Sequence, residues 1–170
     1  MSETLSASLP GALEARITAV LRALCDRGLT VSTAESCTGG LVASVLTDVD
    51  GCGHAFERGF VTYSGAAKIE DLDVPPDLIE ARTAVSAEVA EAMARGALRR
   101  SGADIAVSVT GYAGPGGPDA EEGLVYLALI DRDGGLAASE FHFGSMGRGA
   151  VRLAALEAAV ALLEDQLGRP

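Results

Sequence analysis

The 170-residue sequence contains no tryptophan, two isolated histidines, and three cysteines that form no Cys-x-x-Cys pair. Zinc sites use closely spaced cysteine and histidine ligands, so no metal site is expected. An odd number of cysteines without a pairing pattern favours a reducing, intracellular compartment over a disulfide framework.

The sequence also lacks long apolar runs and an excess of basic residues. No apolar run approaches the roughly 18 residues of a membrane span. The first ten residues contain neither a basic region nor a signal-peptide core, so we predict a cytoplasmic protein with no membrane partner. The 13 Lys and Arg residues face 24 Asp and Glu residues, giving a net charge of −11. This balance argues against nucleic-acid binding but allows a small anionic ligand held by local arginines and backbone amides.

The order of apolar patterns and turn residues predicts one α/β domain over residues 9–168, after a flexible N-terminus at residues 1–8. Predicted helices cover residues 9–27, 41–46, 66–72, a brief segment after the Pro75-Pro76 pair, 87–100 and about 148–167. Predicted strands cover residues 29–32, 60–63, 105–109, 123–130 and 136–143. Helices alternate with the first strands, while the last two strands form a hairpin. We therefore predict a three-layer α/β/α sandwich with a mixed sheet.

The stretch Thr33–Gly40 joins the first strand to the following helix through small polar residues and two glycines. Backbone N–H groups at such a corner can hold a phosphate or stabilise an oxyanion beside a nucleophile. Ser36 and Cys37 are both potential nucleophiles, and Cys37 is the weaker candidate because no histidine partner lies in the motif. The alternative is a tight helix N-terminus capped by Ser36 or Thr38.

Tyr63 and Lys68 are the best candidates for moving a proton to and from Ser36. Tyr63 and Ser36 both follow the carboxyl ends of predicted strands, and Lys68 lies on the next helix. If the strands are parallel neighbours, the three residues meet at one edge of the sheet. Lysine acts as a base only if its pKa falls by roughly 3 units, a cost of about 4 kcal/mol. A charged Lys68 that activates the Tyr63 phenol, and a surface lysine beside a half-buried tyrosine, remain alternatives.

Two further segments are typical of ligand binding. The loop Thr110–Pro118 is rich in glycine and would let backbone approach a ligand closely, although it is not a P-loop. Arg148 and Arg152 begin the last helix, where positive side chains oppose the helix dipole and therefore suggest a bound anion. A flexible connection and ordinary ion pairs are the corresponding structural alternatives.

Taken together, these motifs resemble the CinA C-terminal domain family, which includes stand-alone nicotinamide-nucleotide amidases. The resemblance spans about residues 10–167, and Glu-Ser-Cys-Thr-Gly-Gly followed by Gly-Pro-Gly-Gly is its most specific combination. The matching segments are 34–40, Tyr63-Ser64 with Lys68, 84–88, 110–117, 123–126, and Arg148 with Arg152.

The resemblance implies hydrolysis of nicotinamide mononucleotide to nicotinic acid mononucleotide and ammonia, without a metal or organic cofactor. By this resemblance Ser36 is the nucleophile, and Tyr63 and Lys68 move protons. The expected substrate-binding residues are Thr38, Gly39, Gly40, Thr110, Gly111, Gly114, Gly116, Arg148 and Arg152. A homo-oligomer, dimeric or larger, is expected from the same resemblance.

The sequence departs from the family pattern at three points. Gly65 stands where asparagine is usual, Glu121-Glu122 where Pro-Val is common, and Met146-Gly147 where Gly-Asp often precedes Arg148. With these departures, two other functions are compatible with the motifs. One is a non-catalytic nucleotide-binding module that acts through protein contacts, and the other is an amidase or esterase for a different small substrate.

Overall fold

The computed structural model describes residues 9–118 and 120–168. The predicted flexible segment 1–8 lies outside the described residues. The helices are α1 (Gly11–Arg27), α2 (Leu41–Leu46), α3 (Gly65–Leu72), α4 (Pro76–Arg82), α5 (Ala87–Ser101) and α6 (Arg148–Leu167). The strands are β1 (Val31–Glu35), β2 (Phe56–Val61), β3 (Ile105–Gly111), β4 (Leu124–Asp131) and β5 (Leu136–His142), and a 3-10 turn covers Gly53–Ala55.

The five strands form one sheet in the order β2-β1-β3-β4-β5. Strand β1 is parallel to β2 on one side and to β3 on the other. Strands β4 and β5 complete the sheet as an antiparallel hairpin. The carboxyl ends of β1, β2 and β3 therefore lie together at one edge, which is where the ligands of α/β sheets usually bind.

Helices cover both faces of the sheet, which confirms the predicted α/β/α sandwich. One hydrophobic core lies between the sheet and the helices α1, α2 and α6. The other lies between the opposite face and the helices α3 and α5, with α4 at its margin. None of the helices within 9–118 and 120–168 combines the length and apolar character required to cross a bilayer.

Helix α3 is held close to α5 at a glycine. A Cβ atom on Gly96 would lie only 2.0 Å from the backbone oxygen of Leu72, so no larger residue fits without moving one of the helices. Ser64 caps the other end of α3 by accepting a hydrogen bond from the Ala67 N–H at 3.1 Å. Both contacts fix the position of Lys68, which lies in the middle of this helix.

The bounds of β1 and β2 differ from the prediction. Strand β1 begins and ends later because its polar residues Ser32, Thr33 and Glu35 are buried rather than part of a turn. Strand β2 begins four residues earlier and ends at Val61, because it is an edge strand whose residues Glu57 and Arg58 remain exposed. The sequence of β2 has no alternating apolar pattern that would have revealed its first residues.

Candidate active site

Ser36 lies directly after β1, at the edge formed by the carboxyl ends of the parallel strands. Its backbone N–H donates to the carbonyl of Val109 at 2.9 Å, which continues the β1–β3 pairing by one residue. On the other side of β1, the Thr62 N–H donates to the carbonyl of Glu35 at 2.8 Å. These backbone contacts bring Ser36 beside Tyr63 and Lys68, as the strand arrangement predicted.

The side chains of Ser36 and Lys68 are in direct contact. The Lys68 Nζ donates to the Ser36 Oγ at 3.0 Å and to the carbonyl of Thr62 at 2.9 Å. Lys68 has no solvent exposure and is the only lysine in the sequence. An amine that is buried beside a serine hydroxyl, with no carboxylate partner among the described residues, is the arrangement expected of a general base.

Burial shifts the titration of Lys68 into the range where it can act as a base. Removal from water lowers the pKa of its amine to about 8, from an ordinary value of 10.5. At neutral pH about one tenth of the amine is then unprotonated, against about 0.03% for an ordinary lysine. Burial has the opposite effect on the neighbouring thiol and raises the pKa of Cys37 to about 11. Cys37 therefore stays protonated and is a poor nucleophile at neutral pH.

Tyr63 contacts Ser36 through its backbone rather than through its phenol. The Ser36 Oγ donates to the carbonyl of Tyr63 at 3.5 Å, a long hydrogen bond. The residue itself is 69% exposed. Within the described part of the chain, no hydrogen bond joins the phenol to Ser36 or Lys68. Contact and burial therefore favour Lys68 over the Tyr63 phenol as the candidate base, a choice that the sequence left open.

An open cavity of about 260 Å³ lies over the Ser36–Lys68 pair. Its described lining residues include no Asp or Glu, although the whole chain has a net charge of −11. The cavity therefore favours a neutral or anionic ligand. The lining comprises Ser36, Cys37, Tyr63, Lys68, Ala84, Val85, Gly111, Tyr112, Ala113, Gly114, Pro115, Gly116 and Arg148.

The glycine-rich loop and Arg148 form one wall of the cavity. A Cβ atom on Gly114 would lie 2.9 Å from Nη2 of Arg148, so the guanidinium packs on bare backbone. Thr110 is buried and does not line the cavity; its hydroxyl donates at 2.9 Å to the carbonyl of Ala84, which does. Through this contact Thr110 supports the wall, and its predicted part in binding or positioning the substrate stays a prediction.

Thr38, Gly39, Gly40 and Arg152 were also predicted to bind substrate, and none of the four is among the described residues that line the cavity. The Gly39 N–H donates to the carbonyl of Ser36 at 3.1 Å, and the guanidinium of Arg152 donates to the carbonyl of Thr38. The Gly40 N–H donates to the carboxylate of Glu35 at 3.1 Å. The Gly39 and Gly40 amides, the Thr38 carbonyl and the Arg152 guanidinium therefore have partners within the protein and shape the turn. The Thr38 backbone N–H has no such partner among the described residues, and substrate binding by these four residues stays a prediction.

Glu35 is the residue that the sequence analysis missed. It was treated as part of the motif with no role of its own, yet its side chain is completely buried and accepts four hydrogen bonds. A glutamate at the end of a buried parallel strand, just before a short helix, is the signal that could have revealed it. A buried carboxylate in such a place requires several donors.

Comparison with known proteins agrees with this architecture. The family model of the CinA C-terminal domain matches residues 13–167. A crystal structure of a competence/damage-inducible protein from Agrobacterium tumefaciens is 42% identical, with a TM-score of 0.91, and the match covers 99% of this chain and 100% of that one. A CinA superfamily protein from Escherichia coli is 34% identical, with a TM-score of 0.85, over 91% of this chain and 90% of that one.

Curated relatives match over a smaller part of their length. A putative competence-damage inducible protein from Symbiobacterium thermophilum is 57% identical over 116 residues, which are 67% of this chain and 27% of that protein. A similarly named protein from Caldicellulosiruptor saccharolyticus is 44% identical over 150 residues, 87% of this chain and 36% of that protein. The chain thus spans about a third or less of the length of these relatives.

The fold and the site together define an α/β/α protein with a serine–lysine pair at the carboxyl edge of its sheet. The chain belongs to the CinA C-terminal domain family, as the match over residues 13–167 shows. The resemblance inferred from the sequence motifs is thereby confirmed.

Proposed function

We propose that the protein is an amidohydrolase that releases ammonia from nicotinamide mononucleotide through an acyl intermediate on Ser36. The observation that carries this proposal is the 3.0 Å contact between the Ser36 hydroxyl and the buried amine of Lys68. Amide hydrolysis requires a nucleophile, a base that can later act as an acid, and an oxyanion site. All three can be assigned to residues at one edge of the sheet.

In the first half-reaction, neutral Lys68 takes the proton of Ser36 while the serine oxygen attacks the carboxamide carbon. The protonated amine then donates this proton to the leaving nitrogen, and ammonia departs. In the second half-reaction, Lys68 takes one proton from water, the water oxygen attacks the acyl carbon, and Lys68 returns that proton to Ser36 as the carboxylic acid leaves. The second proton of the water goes to solvent when this acid ionises to the carboxylate. Lys68 is suited to both roles because its pKa of about 8 is close to neutral pH.

The backbone amides of Cys37 and Thr38 are the candidates for the oxyanion site. The N–H groups of Gly39, Gly40 and Leu41 already donate within the protein. For Cys37 and Thr38, in contrast, no other described residue accepts a hydrogen bond from the backbone N–H. Each N–H group of this kind can contribute a factor of about 10²–10³ to turnover.

The charge of the cavity supports an anionic nucleotide substrate. Arg148 lies at the cavity wall without a carboxylate among the described lining residues, and the adjacent loop offers bare backbone at Gly114 and Gly116. A phosphate at this wall would meet a guanidinium and backbone N–H groups, a combination that suits phosphate recognition. We assign the 5′-phosphate of the substrate to this wall and its carboxamide to Ser36.

The test is ammonia release from nicotinamide mononucleotide by the wild type and by Ser36→Ala. Ser139→Ala is a matched control, because Ser139 lies on the edge strand β5, opposite Leu127 and away from the cavity. We expect turnover by the wild type and the control and none above background by Ser36→Ala. Equal rates for the wild type and Ser36→Ala would reject Ser36 as the nucleophile.

Two other outcomes would replace the proposal. Nucleotide binding in a calorimeter without any product by mass spectrometry would indicate a non-catalytic nucleotide-binding module. Turnover of amides or esters that lack a phosphate, with none of the mononucleotide, would retain the Ser36 chemistry but reject the proposed substrate. A panel of amides with and without a phosphate group separates these two outcomes.

A further inference from the structure

The buried carboxylate of Glu35 accepts hydrogen bonds from N–H groups at the N-terminus of α2. Its Oε2 accepts from the Thr38 hydroxyl at 2.7 Å, the Gly40 N–H at 3.1 Å and the Val42 N–H at 3.0 Å. Its Oε1 accepts from the Ala43 N–H at 2.8 Å. All four partners are donors, so the arrangement fits the ionised carboxylate and leaves no acceptor for a protonated one.

This carboxylate takes the place that a bound anion would otherwise have. The first N–H groups of a helix carry partial positive charge and attract phosphates and oxyanions. In α2 these groups are already used by Glu35, and the Leu41 N–H donates to the carbonyl of Thr38. A substrate anion therefore has no access to the end of α2 and is left with the amides that come before it.

The side chain of Arg152 also binds the turn from Ser36 to Gly40. The Arg152 guanidinium, which projects from α6, donates through two of its nitrogens to the carbonyl of Thr38, one of them at 3.1 Å. It passes so close to Gly39 that a Cβ atom there would lie 2.9 Å from Nη2. Thr38 is thus hydrogen-bonded to Glu35 through its hydroxyl and to Arg152 through its carbonyl. These two hydrogen bonds restrain the backbone on both sides of Thr38.

We propose that Glu35 is a positioning residue, whose carboxylate fixes the turn from Ser36 to Gly40 so that the serine hydroxyl stays against Lys68 and the Cys37 and Thr38 amides stay unoccupied. This inference rests on the proposed acyl-transfer function. It assigns Glu35 no contact with substrate, and it explains why a fully buried charge lies next to a nucleophile. Arg152 supports the same turn from α6.

The variants that test this inference are Glu35→Gln and the matched pair Thr38→Val and Thr38→Ser. Glutamine keeps the size of Glu35, but its amide nitrogen is a donor that must face at least one of the four donors now bound. Valine is close to threonine in shape and removes only the hydroxyl that binds Glu35, whereas serine keeps that hydroxyl. Unfolding curves establish that each variant is folded at the assay temperature.

Two readouts separate positioning from a general loss of structure. One is kcat and KM for ammonia release, with the pH profile. The other is the rate at which a phosphorofluoridate labels Ser36, followed by intact mass. In labelling, the serine oxygen forms a bond to phosphorus, the phosphorus–fluorine bond breaks, and fluoride leaves with the serine proton. Labelling uses the oxyanion amides and Lys68 but needs no nucleotide.

We expect Glu35→Gln to lower kcat and the labelling rate by about 100-fold or more, the size of one lost oxyanion donor. KM should change by less than about threefold and the apparent pKa should stay near 8, because Arg148 and Lys68 keep their contacts. Thr38→Val should lower kcat and the labelling rate by about tenfold, a smaller effect because three amide donors still bind Glu35. Thr38→Ser should keep both rates within about threefold of the wild type.

A folded Glu35→Gln variant that is labelled at the wild-type rate would overturn the inference. If that variant does not fold, a wild-type rate for Thr38→Val would overturn it instead. The two proposals can fail separately. A wild type that releases no ammonia but labels at Ser36, with slower labelling of the variants, would reject the amidase function and retain the positioning role.

Discussion

Replacement of Lys68 by methionine is expected to stop turnover and yet leave the protein at least as stable at pH 7. The amine has no solvent exposure, and burial lowers its pKa from 10.5 to about 8. Keeping the ammonium inside the folded protein therefore costs about 3 kcal/mol near pH 7. Methionine removes this cost with a side chain of similar length that suits an irregular space.

Two lost hydrogen bonds oppose this gain, and the one to Thr62 matters more because the Ser36 Oγ still donates to the carbonyl of Tyr63. The Lys68 Nζ donates to the carbonyl of Thr62 at 2.9 Å, and methionine leaves that carbonyl without this donor. A buried acceptor without a partner costs about 1–3 kcal/mol. The net effect near pH 7 ranges from no change to a stabilisation of about 2 kcal/mol, whereas most substitutions at a buried site are destabilising.

The direction in which the free energy of unfolding changes with pH tests this explanation. The unfolded chain binds the proton more tightly than the folded one, so the contribution of Lys68 to the free energy of unfolding rises with pH. Its cost is fully present below pH 8 and disappears as the pH rises from about 8 towards 10.5. The cost falls from about 3 kcal/mol near pH 7 to about 1 kcal/mol near pH 9.5.

The assay is urea unfolding of the wild type and Lys68→Met, followed by far-UV circular dichroism near both pH values, since the sequence contains no tryptophan. Other groups that titrate in this range cancel in the difference between the two proteins. We expect the wild type to gain about 2 kcal/mol relative to the variant between the two pH values. A difference that does not change with pH would refute the reasoning that burial lowers the pKa of Lys68.

Three further predictions concern the same site and its support. Because Lys68 is the only lysine, protein labelled with 13Cε-lysine should give one side-chain NMR signal with a midpoint near pH 8, and a midpoint near 10.5 would contradict the burial argument. Arg148→Gln should raise KM for the mononucleotide by about 10- to 100-fold with little change in kcat, and should not alter KM for amides without a phosphate. An equal rise in KM for both kinds of substrate would remove Arg148 from phosphate binding. Gly96→Ala should lower the free energy of unfolding by about 1–3 kcal/mol, because its Cβ would lie 2.0 Å from the carbonyl oxygen of Leu72. Gly11→Ala is the control and should not lower it, because the space around that Cβ is open. Unchanged unfolding curves for Gly96→Ala would show that α3 can move away from α5.

The meeting of Ser36 and Lys68 could be predicted because it follows from topology. Both residues come shortly after the carboxyl ends of strands, and a parallel pair brings such ends to one edge of the sheet. The direction of the Tyr63 side chain does not follow from topology. Its phenol is exposed while its carbonyl faces Ser36, and this choice depends on backbone torsion angles that sequence spacing does not specify.

The buried position of the Glu35 side chain also could not be predicted from the sequence. Residue patterns place a charged side chain on the surface, since burial of a charge is costly without partners. Here three of the four partners are backbone amides of Gly40, Val42 and Ala43, which any sequence can supply, and the fourth is the hydroxyl of Thr38. No oppositely charged side chain is present among these partners to indicate the buried charge. The backbone partners of Gly39 and Gly40 were hidden for the same reason. Their amides looked available in the sequence, but the structure gives both of them acceptors.

The central claim is that a neutral Lys68 takes the proton of Ser36 as the serine attacks the substrate. Its most direct test is the pH dependence of kcat/KM for ammonia release from nicotinamide mononucleotide. We predict a rate that rises about tenfold per pH unit below pH 8 and becomes level above it, with no such activity in Lys68→Met. Turnover that does not depend on pH over this range, or that survives in Lys68→Met, would contradict the claim.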